Sequence, residues 1–181
     1  MKVPDNQSPA ANFEELAVPL FDQLYNFARW LTQDTSEAED LVQETYAKAL
    51  RGFSSFQTGT NFRAWMYRIL RNSFLSSRTG LKTTVVFDEE APERPPAADA
   101  PTPESLYLEQ SNRQLVQDAL ADLPVPFREI LLLCEVEEMS YQEIAETLSI
   151  PTGTVMSRLS RARKALRSLL QQKLKGGRHG M

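Results

Sequence analysis

The residues best equipped for chemistry lie in the stretch Ser-Tyr-Gln-Glu-Ile-Ala-Glu-Thr-Leu-Ser-Ile-Pro-Thr-Gly-Thr-Val-Met-Ser-Arg-Leu-Ser-Arg-Ala-Arg-Lys-Ala-Leu, residues 140–166. With Val155 at zero on a helical wheel of about 100° per residue, Gly153, Ser157, Ser160, Arg161, Lys164 and Ser168 fall on an arc roughly opposite. That arc is basic, small and hydroxylated. Small residues let a helix sink into a DNA major groove, the Arg161 guanidinium offers a fork to guanine, and the Ser157 and Ser160 hydroxyls reach phosphates or base edges. Arg158, Arg163 and Arg167 lie on the flanks, where phosphate contact is expected instead of base reading.

To reach a groove, such a face needs a second helix to brace it. Ile144, Ala145 and Leu148 line a preceding helix, Ile150 plugs the turn, and Val155, Leu159, Ala162 and Leu166 line the next, the spacing of a helix-turn-helix. Ala145 keeps the two helices close. Ser149 stands where such turns often carry Gly. Pro151 is tolerated at the helix start because its missing N–H would have no intrahelical partner, and Thr152 is expected to cap.

Catalytic chemistry is poorly supplied. With one His (His179) and one Cys (Cys134) in 181 residues, the chain cannot build a Ser-His-Asp or Cys-His arrangement, a histidine metal cluster or a multi-thiolate zinc site, so no cofactor or metal is expected. Cys134, within Ile-Leu-Leu-Leu-Cys-Glu-Val, reads as a buried, inert thiol of a reducing compartment. His179, in a Gly-rich tail, is assigned no function. The first residues lack the apolar run of a signal peptide and no stretch approaches the roughly 18 apolar residues of a membrane span, so a soluble, cytoplasmic protein is expected.

Charge is sorted along the chain. Twenty Lys and Arg against 24 Asp and Glu give a net charge of −4, yet residues 152–181 hold eight bases and no acid, so a polyanion partner is expected there. Residues 34–44 carry five acids and no base, whereas residues 61–82 carry Arg63, Arg68, Arg71, Arg78 and Lys82 with no acid. Residues 88–109 hold seven acids and five of the 11 prolines, with little to bury, which marks a linker.

Both flanks of that linker show apolar residues recurring at three and four positions, with β-branched runs nearly confined to residues 83–86, so an all-α protein of two small helical bundles is expected. Residues 13–32 form one or two helices. Ser36 is read as the cap of another, in which Ala38, Leu41, Val42, Thr45, Tyr46, Ala49 and Leu50 share the core face. After a loop from Gly52, Phe62, Trp65, Met66, Ile69, Leu70 and Ser73 mark a further helix capped by Thr60 or Asn61. The second bundle opens near Ser105, breaks at Leu-Pro-Val-Pro after residue 122, and resumes over residues 127–136.

Asp40-Leu-Val-Gln-Glu-Thr-Tyr46, then Phe56-Gln-Thr-Gly-Thr-Asn-Phe-Arg-Ala-Trp-Met-Tyr-Arg-Ile-Leu-Arg-Asn72, then the helix-turn-helix resemble an extracytoplasmic-function (ECF) sigma factor of the sigma-70 family, over residues 13–80 and 107–171. The likeness is greatest to the branch paired with zinc-containing anti-sigma factors that respond to thiol oxidation. It implies sigma region 2 over residues 10–82, an acidic linker over 83–106 and sigma region 4 over 107–174. It also implies promoter-specific transcription initiation with core RNA polymerase, promoter DNA and an anti-sigma factor as partners, and no enzymatic activity of the chain's own.

The resemblance implies roles for named residues. Asp40, Gln43 and Glu44 would bind the clamp helices of the polymerase's largest subunit; on the wheel these residues lie away from the apolar arc, which suits either a partner or plain solvation. Phe56, Thr58, Thr60, Asn61, Trp65, Arg68, Arg71 and Asn72 would hold the minus-10 element with one base flipped out, at an unpairing cost of a few kcal/mol that arginine contacts offset. Trp65 could equally pack in the core. Thr152, Thr154, Ser157, Arg158, Ser160, Arg161 and Lys164 would meet the minus-35 duplex; Met156 stands where some members carry Arg, so base preference there does not transfer. The linker is either a nucleic-acid mimic in the polymerase cleft or a solvated tether.

Two other readings remain open from the residues alone. A stand-alone helix-turn-helix regulator would bind duplex without polymerase, and an enzyme on a helical scaffold would use Asp40 and Glu44 as a carboxylate pair, without a His or Cys partner to support it.

Overall fold

The computed structural model describes residues 9–79 and 105–177, with side chains over residues 12–79 and 112–176. Among the described residues there is no strand, and eight α-helices carry the structure, as the three-and-four periodicity predicts: α1 (Pro9–Ala17), α2 (Phe21–Thr32), α3 (Thr35–Gly52), α4 (Phe62–Arg78), α5 (Ser105–Asp122), α6 (Val125–Leu131), α7 (Tyr141–Leu148) and α8 (Thr152–Gly177). The chain divides into two compact units. Most of the acidic, proline-rich linker and the His179 tail lie outside the described residues, and α5 opens two residues before the end of the stretch assigned to the linker.

In the first unit α3 packs on α2 and α4. Its N-terminus differs from expectation. Asp34, in extended conformation, is the cap: its Oδ1 accepts from the Glu37 N–H at 2.8 Å, and Ser36 lies inside the first turn. An acid there also complements the positive end of the helix dipole. The chain reaches Asp34 through Gln33, which takes a left-handed φ of 58° at the end of α2. The core face of α3 holds Ala38, Leu41, Val42, Thr45 and Ala49 as predicted, but Tyr46 is half-buried and Leu50 is exposed, because both sit at the edge of the stripe.

Helix α4 begins after Asn61, whose Oδ1 accepts from the Ala64 N–H at 3.0 Å, which selects Asn61 over Thr60 as the cap. Its buried stripe is Ala64, Met66, Tyr67, Leu70, Ser73 and Phe74. This is turned by about one position from the expected stripe: Phe62, Trp65 and Ile69 are half-buried, while Tyr67, not foreseen, is fully enclosed against Phe27 at 5.1 Å between ring centroids. Arg78, in the last turn, reaches Glu37 at 2.7 Å and lies over the Phe74 ring, tying the end of α4 to the start of α3.

In the second unit α8 packs on α5 and α6. The Leu-Pro-Val-Pro break is made as predicted, with α6 starting at Val125 so that Pro126 falls in the first turn, where no N–H is needed. Arg128 then turns back to the end of α5: Nε donates to the Leu120 carbonyl at 2.8 Å and Nη2 to those of Ala121 and Leu123 at 2.6 and 3.0 Å. One buried guanidinium thereby supplies donors to carbonyls at the helix end, of which that of Leu120 also accepts from the Leu123 N–H at 3.2 Å. Residues Leu132–Val136 continue α6 with a wider, π-helical turn.

Candidate polymerase and nucleic-acid interfaces

On α3, Asp40, Gln43 and Glu44 are all exposed. Glu44 Oε1 pairs with Lys48 Nζ one turn on at 2.5 Å, and the same ammonium donates to the buried Ser73 hydroxyl at 3.0 Å. The face therefore presents two acids and an amide, one acid being held by a lysine anchored to α4. Further along α3, Tyr46 donates its hydroxyl to the Ala17 carbonyl at 2.6 Å, and burial, then the charge of Asp22, push its pKa up to about 12.

Between α3 and α4, Phe56 stacks on Phe53 at 6.0 Å, meets Phe62 edge-on at 5.3 Å and lies 5.1 Å from the Trp65 ring, which in turn is 5.6 Å from Phe62. Four rings thus wall the base of the loop over residues 56–61. The loop turns on itself through the Thr60 hydroxyl and N–H, both donated to the Gln57 carbonyl, and through Gly59 at a φ of 95°, which a side chain would strain. Thr58 and Thr60 are exposed at its tip. Trp65 is half-buried, packed against the Phe56 and Phe62 rings. Arg68 and Asn72 are exposed further along α4 and Arg71 is half-buried, so the expected minus-10 residues form one loop and the helix it leads into. Asn61 is spoken for in part by its capping role.

In the second unit α7 opens on a reciprocal cap not foreseen above: the Ser140 hydroxyl accepts from the Glu143 N–H at 3.2 Å and Glu143 Oε2 accepts from the Ser140 N–H at 2.8 Å. The Ser-x-x-Glu spacing was the signal that could have found it. Ser149, at the position where Gly is usual, takes a left-handed φ of 55°. Helix α8 then starts at Thr152 with Pro151 supplying the first carbonyl, which accepts from the Val155 N–H at 3.1 Å, so Pro151 and not Thr152 occupies the cap position. Ile144, Leu148, Val155, Leu159 and Ala162 are buried as expected, while Ala145, Ile150 and Leu166 are half-buried.

Across the face of α8, Thr152 and Lys164 are exposed, and Thr154, Ser157, Arg158, Ser160 and Arg161 are half-buried. The Ser157 hydroxyl turns back to the Thr154 carbonyl at 3.1 Å. Nothing stands within 4 Å of a Cβ built on Gly153, and Met156 beside it is 55% exposed. Arg163 differs from the flank role expected of it: its Nε and Nη2 donate to Glu135 Oε1 at 3.1 and 2.7 Å, with Cys134 Sγ 3.8 Å from Nη2. That contact raises the Arg163 pKa. Cys134 is half-buried, not fully buried; burial and then Glu135 push its thiol up, against the pull of Arg163, so the neutral, unreactive form is favoured.

Comparison with known proteins bears on both units. Residues 19–83 match the Sigma-70 region 2 family and residues 113–166 match Sigma-70, region 4. The ECF RNA polymerase sigma factor SigW of Bacillus subtilis is 30% identical over 157 residues, covering 83% of this chain and 84% of that protein. The chain belongs to the ECF sigma factors. It is also 37% identical over 167 residues to SigE of Mycolicibacterium smegmatis, covering 91% of this chain but only 64% of that ECF sigma factor's length. Among solved structures, the sigma factor RpoE in complex with the anti-sigma factor NepR from Bartonella quintana superposes with a TM-score of 0.65 at 32% identity, covering 88% of this chain and 97% of that one. In this ECF sigma factor region 2 spans α2 to α4 with the aromatic loop, and region 4 spans most of α5 through the first half of α8. Among the described residues no helix is long and apolar enough to cross a membrane and no cluster of possible metal ligands forms.

Proposed function

We propose that this ECF sigma factor is the promoter-specificity subunit of an RNA polymerase holoenzyme and catalyses nothing itself. Asp40, Gln43 and Glu44 of α3 dock on the clamp helices of the core enzyme. Phe56, Thr58, Thr60, Asn61, Trp65, Arg68, Arg71 and Asn72 take the minus-10 element as a single strand, with the four-ring wall offering an unstacked base a surface of its own kind. Thr152, Thr154, Ser157, Arg158, Ser160, Arg161 and Lys164 lie along the minus-35 major groove. Strand opening then draws on binding energy, since each unpaired base costs only a few kcal/mol.

The observation that carries this reading is the division of labour within one chain. An acid-faced helix and an aromatic loop lie within the stretch matching region 2, and a helix-turn-helix with a basic, hydroxyl-bearing second helix lies within the stretch matching region 4. The solved relative bound to an anti-sigma factor supports control of this chain by such a protein. The resemblance makes a zinc-containing one the first candidate, in which case sensing belongs to the partner and not to Cys134, whose thiol is held neutral. Transcription with core polymerase on a randomised promoter library tests the reading: transcripts from defined start sites sharing two upstream elements are expected, and their absence on every template would overturn it.

A further inference from the structure

Met156 is the one large apolar side chain in the first three turns of α8 that stands clear of the buried stripe; Val155 and Leu159 are fully enclosed, while Met156 is 55% exposed. A single exposed apolar residue on a surface means little by itself. Its neighbours give this one meaning. On a helix surface residues three and four apart are adjacent, so Met156 lies beside Gly153 and Ser160, at the edge of the arc that carries Ser157, Arg161 and Lys164. Gly153 leaves open space where a side chain would stand, so the approach to Met156 from outside is unobstructed.

On the reading that α8 enters a major groove, we infer that Met156 selects thymine at one position of the upstream promoter element through its 5-methyl group. The side chains of that arc hydrogen-bond; Met156 at its edge has no N–H or O–H to donate, and its thioether is a weak acceptor. The edges of the four base pairs in the major groove present donors and acceptors, and one apolar group, the thymine methyl. A long, unbranched, polarisable side chain is suited to closing on a methyl whose exact height it need not match. The guanidinium forks and hydroxyls beside it thereby read polar bases while Met156 reads the apolar one.

The test uses the full chain with core polymerase and a promoter fragment selected from a randomised library. Each thymine of the upstream element is replaced in turn by deoxyuridine, which lacks only the methyl. At one position the replacement is expected to weaken wild-type binding about three- to fourfold, the worth of one buried methyl. Met156→Ala should bind thymine and deoxyuridine equally there, Met156→Leu should keep the distinction, and Met156→Arg should select guanine. Equal binding of both bases by wild type at every position, or a methyl effect that persists in Met156→Ala, overturns the inference while leaving promoter selection standing. A holoenzyme that selects no upstream sequence overturns both this inference and the reading beneath it.

Discussion

Arg163 grips Glu135 with two donors on one carboxylate oxygen, at 3.1 Å from Nε and 2.7 Å from Nη2. A basic helix is therefore not uniformly available to DNA: this arginine joins α8 to the π-helical turn after α6, while Lys164, its neighbour in sequence, is exposed.

The two should separate in a salt titration. Lys164→Gln is expected to lower the slope of log affinity for promoter against log salt by about 0.9, one phosphate contact, with no change in stability. Arg163→Gln is expected to leave the slope nearly unchanged and to cost under about 1 kcal/mol of stability, as a partly exposed pair does. Fluorescence anisotropy with holoenzyme at several salt concentrations measures the first, and urea unfolding the second.

Arg128 bears far more weight on the fold. Its guanidinium satisfies carbonyls of Leu120, Ala121 and Leu123 in a buried setting. Arg128→Ala should lower the stability of the second unit by about 2–4 kcal/mol, since each carbonyl loses a buried, charged donor and a void is left; Arg128→Lys, with a single ammonium, should recover only part. Urea denaturation followed by helical circular dichroism reads both.

Ser149 holds a left-handed φ of 55° without being Gly. That conformation costs a non-glycine residue about 1–2 kcal/mol, of which about 0.4–1 is offset by the greater freedom glycine would have in the unfolded chain. Ser149→Gly should therefore raise stability by up to about 1.6 kcal/mol and Ser149→Val should lower it, both visible in thermal unfolding.

Tyr46 supplies a pH dependence. A phenol whose pKa rises from 10.0 to about 12 on folding contributes stability that is whole below pH 10.0 and disappears as pH climbs through about 12. Spectrophotometric titration should show a tyrosine step near 12, and Tyr46→Phe should remove that step and flatten the alkaline loss of stability. An alkaline titration that Tyr46→Phe leaves unchanged above pH 11 would contradict it.

The helical class and both motifs were legible because hydrophobic periodicity and residue spacing are local. What escaped was decided by neighbours. Periodicity put Phe62, Trp65 and Ile69 of α4 in the core, but a helical stripe has two edges, and packing against α2 chose the one with Tyr67. Leu50 fell outside the core for the same reason. Asp34 and Ser36 are both good caps by type, and only the path of the chain through the left-handed Gln33 selects between them. Arg128 and Arg163 look like surface cations in sequence; their partners lie eight and 28 residues away, beyond any local pattern.

The central claim, that the acid-bearing face of α3 is where the transcription machine takes hold, is tested most directly by reversing charge at Asp40 and Glu44 and measuring binding to purified core RNA polymerase. Both side chains are exposed, so Asp40→Lys/Glu44→Lys should fold with unchanged helical content. Its affinity for core polymerase should fall at least tenfold, and transcription from a selected promoter should fall with it. Wild-type affinity in the doubly reversed protein would contradict the account.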